Sequence, residues 1–438
     1  MIALILQELK NQVCRTIDDN AAQIVQLTQE LERTPELGFK ETKTAAAVAK
    51  FLRNAGYACR EGLAITGVKT SLKPGASGPN VAVIGELDAV VCPDSPTADP
   101  LTGAAHACGH NLQLGAMLGA ALGLKLSGIA GSLAGNVTFM AVPAEEYVEI
   151  EFRQQLRQQG KIRYLGGKQE LVHRGEFDDI DLAMMVHADK DAPGPRVGLC
   201  DTCNGFIGMT IQYVGKEAHA AGAPHEGINA LNAAMIGLMG VHALRETFRD
   251  QDIIRVHPII TKGGDLVNIV PADVRMETYV RARTMSAIEG TYGKVARALK
   301  AGGDSVGAQT HIHTIPGYLP LTCCAPLNDV FRRNALDLLP VDCVVENGHF
   351  GGSTDMGDIS HIIPSIHPFA GGVCGSHHTK DFRTTDPVAA CVLPAKIMAM
   401  TVIDLLADNA ACANQIRQIF RPVLTKAEYL ALLDKYFS

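Results

Sequence analysis

The chain has 438 residues, 47% of them hydrophobic and 19% charged. That exceeds the roughly 250–300 residues at which single hydrophobic cores stop growing, so two domains are expected and a disordered or fibrous chain is excluded. A formal charge of -7 and a pI near 6.1, with no run of Lys and Arg, give no attraction to nucleic acid or anionic membrane and favour a small-molecule partner.

The first six residues are apolar, but Gln7, Glu8 and Lys10 interrupt them before a signal-peptide core could form. The twelve cysteines are scattered through a large chain, Cys323 beside Cys324, unlike the framework of a small secreted domain. A cytoplasmic protein with buried thiols is expected. Residues 21–31 carry Ile24, Val25, Leu27 and Leu31 near one helical face, and residues 42–55 repeat the pattern through Val48, Phe51, Leu52 and Ala55, with Thr42 as the expected cap. Short apolar runs at residues 80–84, 136–142 and 181–186 fit buried strands. Residues 116–130 read as a buried helix, and no other apolar run is expected to approach the roughly 20 residues of a membrane span.

Alternating strands and helices imply an α/β domain with a mainly parallel sheet covered by helices on both faces. After Pro195 the texture changes. Residues 205–214 alternate like a half-exposed strand, residues 229–244 are helical, and residues 255–261, 274–283 and 309–314 are strand-like. This order predicts a smaller α+β domain over residues 204–314, inserted between catalytic-domain segments 1–203 and 315–438.

Chemistry-bearing residues follow the predicted parallel strands. Glu86 and Asp88 come after the first, Glu145 and Glu146 after the second, His187 after the third. Open α/β sheets bind ligands outside these carboxyl ends. Beside them stands His106-Ala-Cys-Gly-His-Asn111, where Cys108 and His110 could turn sulfur and imidazole toward one cation while Gly109 permits the tight backbone. Imidazole, carboxylate and a single thiolate suit zinc, and manganese is also compatible.

In sequence order, Gly85-Glu-Leu-Asp-Ala89, His106-Ala-Cys-Gly-His-Asn111, Pro143-Ala-Glu-Glu146, Gly215-Lys-Glu-Ala-His219, Gly264-Asp-Leu-Val-Asn268 and Gly352-Ser-Thr-Asp355 resemble the metallopeptidase family that includes aminoacylase, carboxypeptidase G and the plant hydrolases of auxin–amino acid conjugates. The Cys-Gly-His signature resembles the auxin-conjugate and hippurate hydrolase branch. The Asn111 ending resembles p-aminobenzoyl-glutamate hydrolase and the β-alanyl-lysine dipeptidase group. The resemblance implies a homodimeric, metal-dependent amidohydrolase that cleaves an amide bond near a free carboxylate in an N-acyl amino acid, an aminobenzoyl-glutamate-like conjugate or a dipeptide. It implies two divalent ions, zinc or manganese, bridged by Cys108, with His110 and Glu146 among the ligands, His187 on one ion and His378 on the other.

By the same resemblance Glu145 is the base, and His219 in the dimerisation domain stabilises the oxyanion across the subunit interface. Such a donor contributes on the order of 3 kcal/mol. Glu86 and Asp88 would orient His110 or the attacking water, strand-end solvation being the other reading. By position in the family pattern Asn268 and Arg281 are candidates for the substrate carboxylate; Arg275 and Arg283 share the strand-like run of Arg281, for which a surface role is the other reading. His378-Thr379 fits the family pattern better than His377. Two departures stand out: many relatives have Asp where Asn111 stands, and residues 147–166 replace a glycine-rich link with charged, helical sequence. Two rival readings compete with the hydrolase: a catalytically silent metal-binding scaffold, which would not need Glu145, and a Cys108 nucleophile with His106 or His110 as base, which leaves Glu145, Glu146 and His187 without a task.

Overall fold

The computed structural model describes residues 2–437, which divide into two compact units. The first holds residues up to 201 together with 322–349 and 358–425; the second holds 202–321, 350–357 and residues from 426 onward.

The first unit is built on a six-stranded sheet in the order Arg60–Leu63, Gly67–Ser71, Asn136–Val142, Asn80–Glu86, Leu182–Met184, Ser365–Ile366. The last four pair in parallel, and the first two form an antiparallel hairpin on the edge. Every residue of Asn80–Glu86 and Asn136–Val142 is buried, as helices on both faces of a parallel sheet require, and this is why their sequences run apolar rather than alternating. The register aligns Asn80 with Asn136 and Glu86 with Val142, so both strands end at one level. From Asn80–Glu86 the chain crosses to the neighbour on one side and then returns to Leu182–Met184 on the other. That reversal opens a crevice at the carboxyl ends of the strands.

The helix His110–Leu126 is buried from His110 to Leu124. Gly115, Gly119 and Gly123 let it lie against Thr28, Ala395 and Ile17, each of which a methyl group in their place would meet within 2.8 Å. Two expectations are corrected here. Thr42 does not cap the helix Thr42–Asn54; Glu41 occupies the cap position, and the Glu36 carboxylate accepts from the Lys43 and Thr44 N–H groups instead. A second long apolar stretch also exists, Val388–Leu406, with 19 residues, 83% of it buried. Pro394 and Lys396 break its apolar run of letters without ending the helix, and the Lys396 ammonium reaches Asp18 at 2.9 Å. It is long and apolar enough to cross a membrane, and here it is a core helix.

The second unit is an antiparallel sheet in the order Arg255–Val256, Asp273–Ala282, Gly205–Val214, Gln309–Pro316, with Ile259–Lys262 also paired to Asp273–Ala282. Asp273–Ala282 alternates between buried and partly exposed positions, so one face of the sheet packs on the helices Ala230–Leu244 and Met285–Val306. Asn229, read as the first residue of a helical run, is the cap: its side-chain oxygen accepts from the Leu231 and Asn232 N–H groups. The run 255–261 is two short strands, parted where Pro258 has no N–H to offer the ladder.

Candidate metal centre

The crevice of the first unit gathers Glu86, Asp88, Cys108, His110, Glu145, Glu146, His187 and His378. Two sets of donor atoms share one thiol: Cys108, His110 and His187 form one, Cys108, Glu146 and His378 the other, and within each set the ligand atoms lie within 4.8 Å of one another. Cys108 Sγ is 3.4 Å from His187 Nε2 and 3.3 Å from His378 Nε2, and His378 Nε2 is 2.9 Å from Glu146 Oε1. A third set joins Glu86, His110 and Glu145.

Local backbone explains the convergence. Gly109, at φ 85°, is the turn between Cys108 and His110, and a Cβ there would stand 2.7 Å from the Ala188 methyl. His378 has φ 61°, a sparsely populated region for a residue with a Cβ, fixed by its N–H to the Ala107 carbonyl at 2.8 Å. Ala144, just before the two glutamates, has φ 54°.

The hydrogen bonds assign the imidazole protons. His110 Nδ1 lies 2.8 Å from the Asp88 carbonyl, which can only accept, so Nδ1 carries the proton and Nε2 presents a lone pair. His187 is set the same way by Nδ1 to the Ala188 carbonyl at 2.7 Å. A neutral His110 would set Nε2 against Glu86 Oε2 at 3.2 Å as one acceptor facing another, both buried and without a hydrogen-bond partner. A cation between them resolves that conflict, and this donor chemistry fits a divalent metal. Burial alone would pull His110 down, but Glu86 and Cys108 raise it well above its ordinary value: the site attracts positive charge at that nitrogen. Burial, with His377 and His367 nearby, holds His187 well below its ordinary value as a neutral imidazole. Burial would lift Glu86, but Lys168 and His110 bring it down to about 2.

Asp88 braces two of these groups. Its carbonyl holds His110, and its carboxylate accepts the Glu146 N–H at 2.8 Å. Glu86 lies on the Nε2 side of His110 instead and takes the Lys168 ammonium at 2.6 Å. His377 stays behind the cluster, its Nε2 donating to the Ala188 carbonyl at 3.1 Å. Cys108 thus faces several imidazoles rather than a single base.

Three supporting residues carry no clear signal of their role in the sequence. Glu41, fully buried, accepts from the Ala144 N–H at 2.8 Å and the Thr66 hydroxyl at 2.6 Å, clamping the strained residue ahead of Glu145. Arg153, 1% exposed, donates to the carbonyls of Ala144, Leu165 and Glu146. The charged segment 147–166 therefore supports the Glu145-Glu146 loop. A clue exists in that Arg153 shares a helical face with Ile150 and Leu156. Lys168, fully buried behind Glu86, gives no such sign.

In the second unit, exposed His219 accepts the Ala221 and Gly222 N–H groups at Nδ1, at 3.2 and 3.0 Å. Its proton is thereby left on Nε2. The Asn268 carbonyl accepts the Ala220 N–H at 2.9 Å, which brings those two motifs together. Arg281 lies over the rings of Phe206 and Tyr279 and donates to the Ser353 hydroxyl at 3.3 Å.

Residues 82–403 match the family model of Peptidase family M20/M25/M40. The Xaa-Arg dipeptidase of Mus musculus is 29% identical over 449 residues, spanning 97% of this chain and 95% of its own. A p-aminobenzoyl-glutamate hydrolase polypeptide of Escherichia coli strain K12 is 27% identical over 301 residues, 67% of this chain and 57% of its own. A solved Bacillus subtilis structure, described as a dinuclear metal binding peptidase from the M20 family, superposes with a TM-score of 0.65 at 20% identity over 88% of this chain and 98% of that one. That likeness shows a shared fold.

Proposed function

This chain belongs to Peptidase family M20/M25/M40, and on that premise we propose that it is a metal-dependent amidohydrolase cleaving the amide bond of a dipeptide, an N-acyl amino acid or an aminobenzoyl-glutamate-like conjugate with a free carboxylate. One observation carries the reading: a single thiol, Cys108, belongs to two complete donor sets, with Glu145 beside them. Cys108, His110 and His187 would hold one divalent ion, and Cys108, Glu146 and His378 a second, with zinc or manganese both compatible. When bound, such ions polarise a carbonyl and lower the pKa of water.

The protein groups do the rest. Glu145 accepts the proton of the attacking water and returns it to the departing amine nitrogen. Asp88 and Glu41 keep Glu146 and the Glu145 backbone in register while the proton moves. The negative charge developing on the former carbonyl oxygen needs a donor, and the Nε2–H of His219 on a second copy of the chain is the proposed one. A homodimer through the second unit is supported by exposed Met235, Ile236 and Met239 on its helix and Ile259 and Ile260 on the strand Ile259–Lys262. Asn268 and Arg281 are the proposed contacts for the substrate carboxylate, which a planar guanidinium can hold with two hydrogen bonds. Twelve free thiols agree with the reducing cytoplasm as its location.

The direct assay is hydrolysis of dipeptides, N-acyl amino acids and p-aminobenzoyl-glutamate, each beside its carboxyl-capped counterpart. Free acids should exceed capped forms in kcat/KM by at least about 10-fold, the value of one lost charged contact. Equal constants would remove carboxylate recognition from the account.

A further inference from the structure

Burying a guanidinium is costly unless its charge and N–H groups find partners, yet the helix Ile150–Gln158 turns Arg153 inward with Ile150 and Leu156 on its buried face. The chain makes room for it. A Cβ at residue 38 would collide with Arg153 Nη2, and glycine stands there. The guanidinium lies over the rings of Phe39 and Tyr147, 5.4 and 5.6 Å from their centroids. Lys40 ties the start of the helix to the same loop, its ammonium 2.7 Å from Glu149 Oε1.

What Arg153 holds is the backbone around Glu145. Nη1 donates to the Ala144 carbonyl at 3.2 Å and to the Leu165 carbonyl at 2.8 Å, and Nη2 donates to the Glu146 carbonyl. One planar fork thus grips the residues before and after Glu145, a geometry that a point-like ammonium cannot reproduce. The N–H groups of the same two residues are held from other directions: Glu41 accepts that of Ala144 and Asp88 that of Glu146, both at 2.8 Å. Ala144 has φ 54°, a left-handed conformation that persists only where surrounding contacts over-determine it. These holds act on backbone, whereas the two donor sets that share Cys108 are made of side chains.

We propose that Arg153 is the positioning residue of the base: its fork fixes the backbone on both sides of Glu145 and so sets where the Glu145 carboxylate points. The proposal rests on the hydrolase reading with Glu145 as base, and it gives Arg153 a part in turnover rather than in metal binding or substrate affinity. Placement matters because a shift of about 1 Å in a reacting group can cost on the order of 100-fold in rate.

The test is a double-mutant cycle between Arg153→Lys and Glu145→Gln in the metal-loaded protein, with kcat, KM and metal per chain measured on a dipeptide or N-acyl amino acid that the wild type cleaves. Lysine keeps the positive charge and loses the fork. Arg153→Lys should lower kcat by at least about 10-fold, with KM within about 2-fold and metal content unchanged. Beside Glu145→Gln the same change should cost less than about 2-fold, because no base is left to misplace. Gly38→Ala leaves Arg153 in the chain and presses a methyl group against its fork, so it should give the same fall in kcat and the same silence beside Glu145→Gln. Wild-type kcat in Arg153→Lys overturns the proposal; so does an equal loss in both backgrounds, which would make Arg153 a purely structural residue, and so does loss of metal along with turnover. Near-normal turnover of Glu145→Gln alone is a separate failure, that of the base itself, and it takes the role of Arg153 with it.

Discussion

Glu145→Gln is expected to lower turnover by at least about 100-fold while metal content stays unchanged. The amide keeps the shape of the side chain and loses only its ability to take a proton. Glu145 belongs with Glu86 and His110 in the third donor set, so its carboxylate lies close to the centre without being part of either set that shares Cys108. Parallel measurement of kcat and metal per chain decides the matter: near-normal turnover removes Glu145 as base, and metal lost together with activity makes it a ligand. The same variant tests the second copy's contribution. Reassembled dimers of Glu145→Gln and His219→Ala subunits should recover activity absent from either parent, because one of their two sites holds both native groups. Heterodimers as inactive as the parents, with wild-type subunits surviving the same exchange, would confine the site to one chain.

Cys108→Ala should strip both ions and abolish turnover. The thiol is the only donor common to the two sets, and without it each falls to a pair: His110 with His187, Glu146 with His378. Two-donor sites bind divalent ions far more weakly than three-donor sites with a thiolate. His110→Ala, in contrast, removes a donor from one of the two sets that share the thiol and should leave the other ion bound. Elemental analysis of the two variants separates a shared thiolate from a peripheral one. Full occupancy in Cys108→Ala would disprove the bridge.

The parts of this protein legible in its sequence are those where local pattern and burial coincide. Asn80–Glu86 and Asn136–Val142 are buried on both faces, so their letters are mainly apolar rather than alternating, and the acids at and beyond their carboxyl ends gather at the sheet edge. Gly205–Val214 has the expected bounds, but it is buried from Gly205 to Met209 and alternates only from Thr210 to Val214. What stayed hidden depends on contacts between distant segments. Glu41 reaches Ala144, Lys168 reaches Glu86, and Glu36 rather than Thr42 caps its helix through a loop that folds back. The short returns of residues 350–357 and of the chain beyond 425 to the second unit have no local signature either. Val388–Leu406 misled for the converse reason. Its letters are interrupted by Pro394 and Lys396, while the helix runs through both.

The central claim is that donors sharing Cys108 hold two ions that the chain uses to hydrolyse an amide. It is tested most directly by stripping the protein with a chelator, refilling it with zinc or manganese, and following metal per chain together with hydrolysis of the dipeptide and N-acyl amino acid panel. The account predicts no turnover in the stripped protein and activity that saturates as the second ion binds. Full activity in the stripped protein, or a doubly loaded protein that cleaves none of these amides, would contradict it.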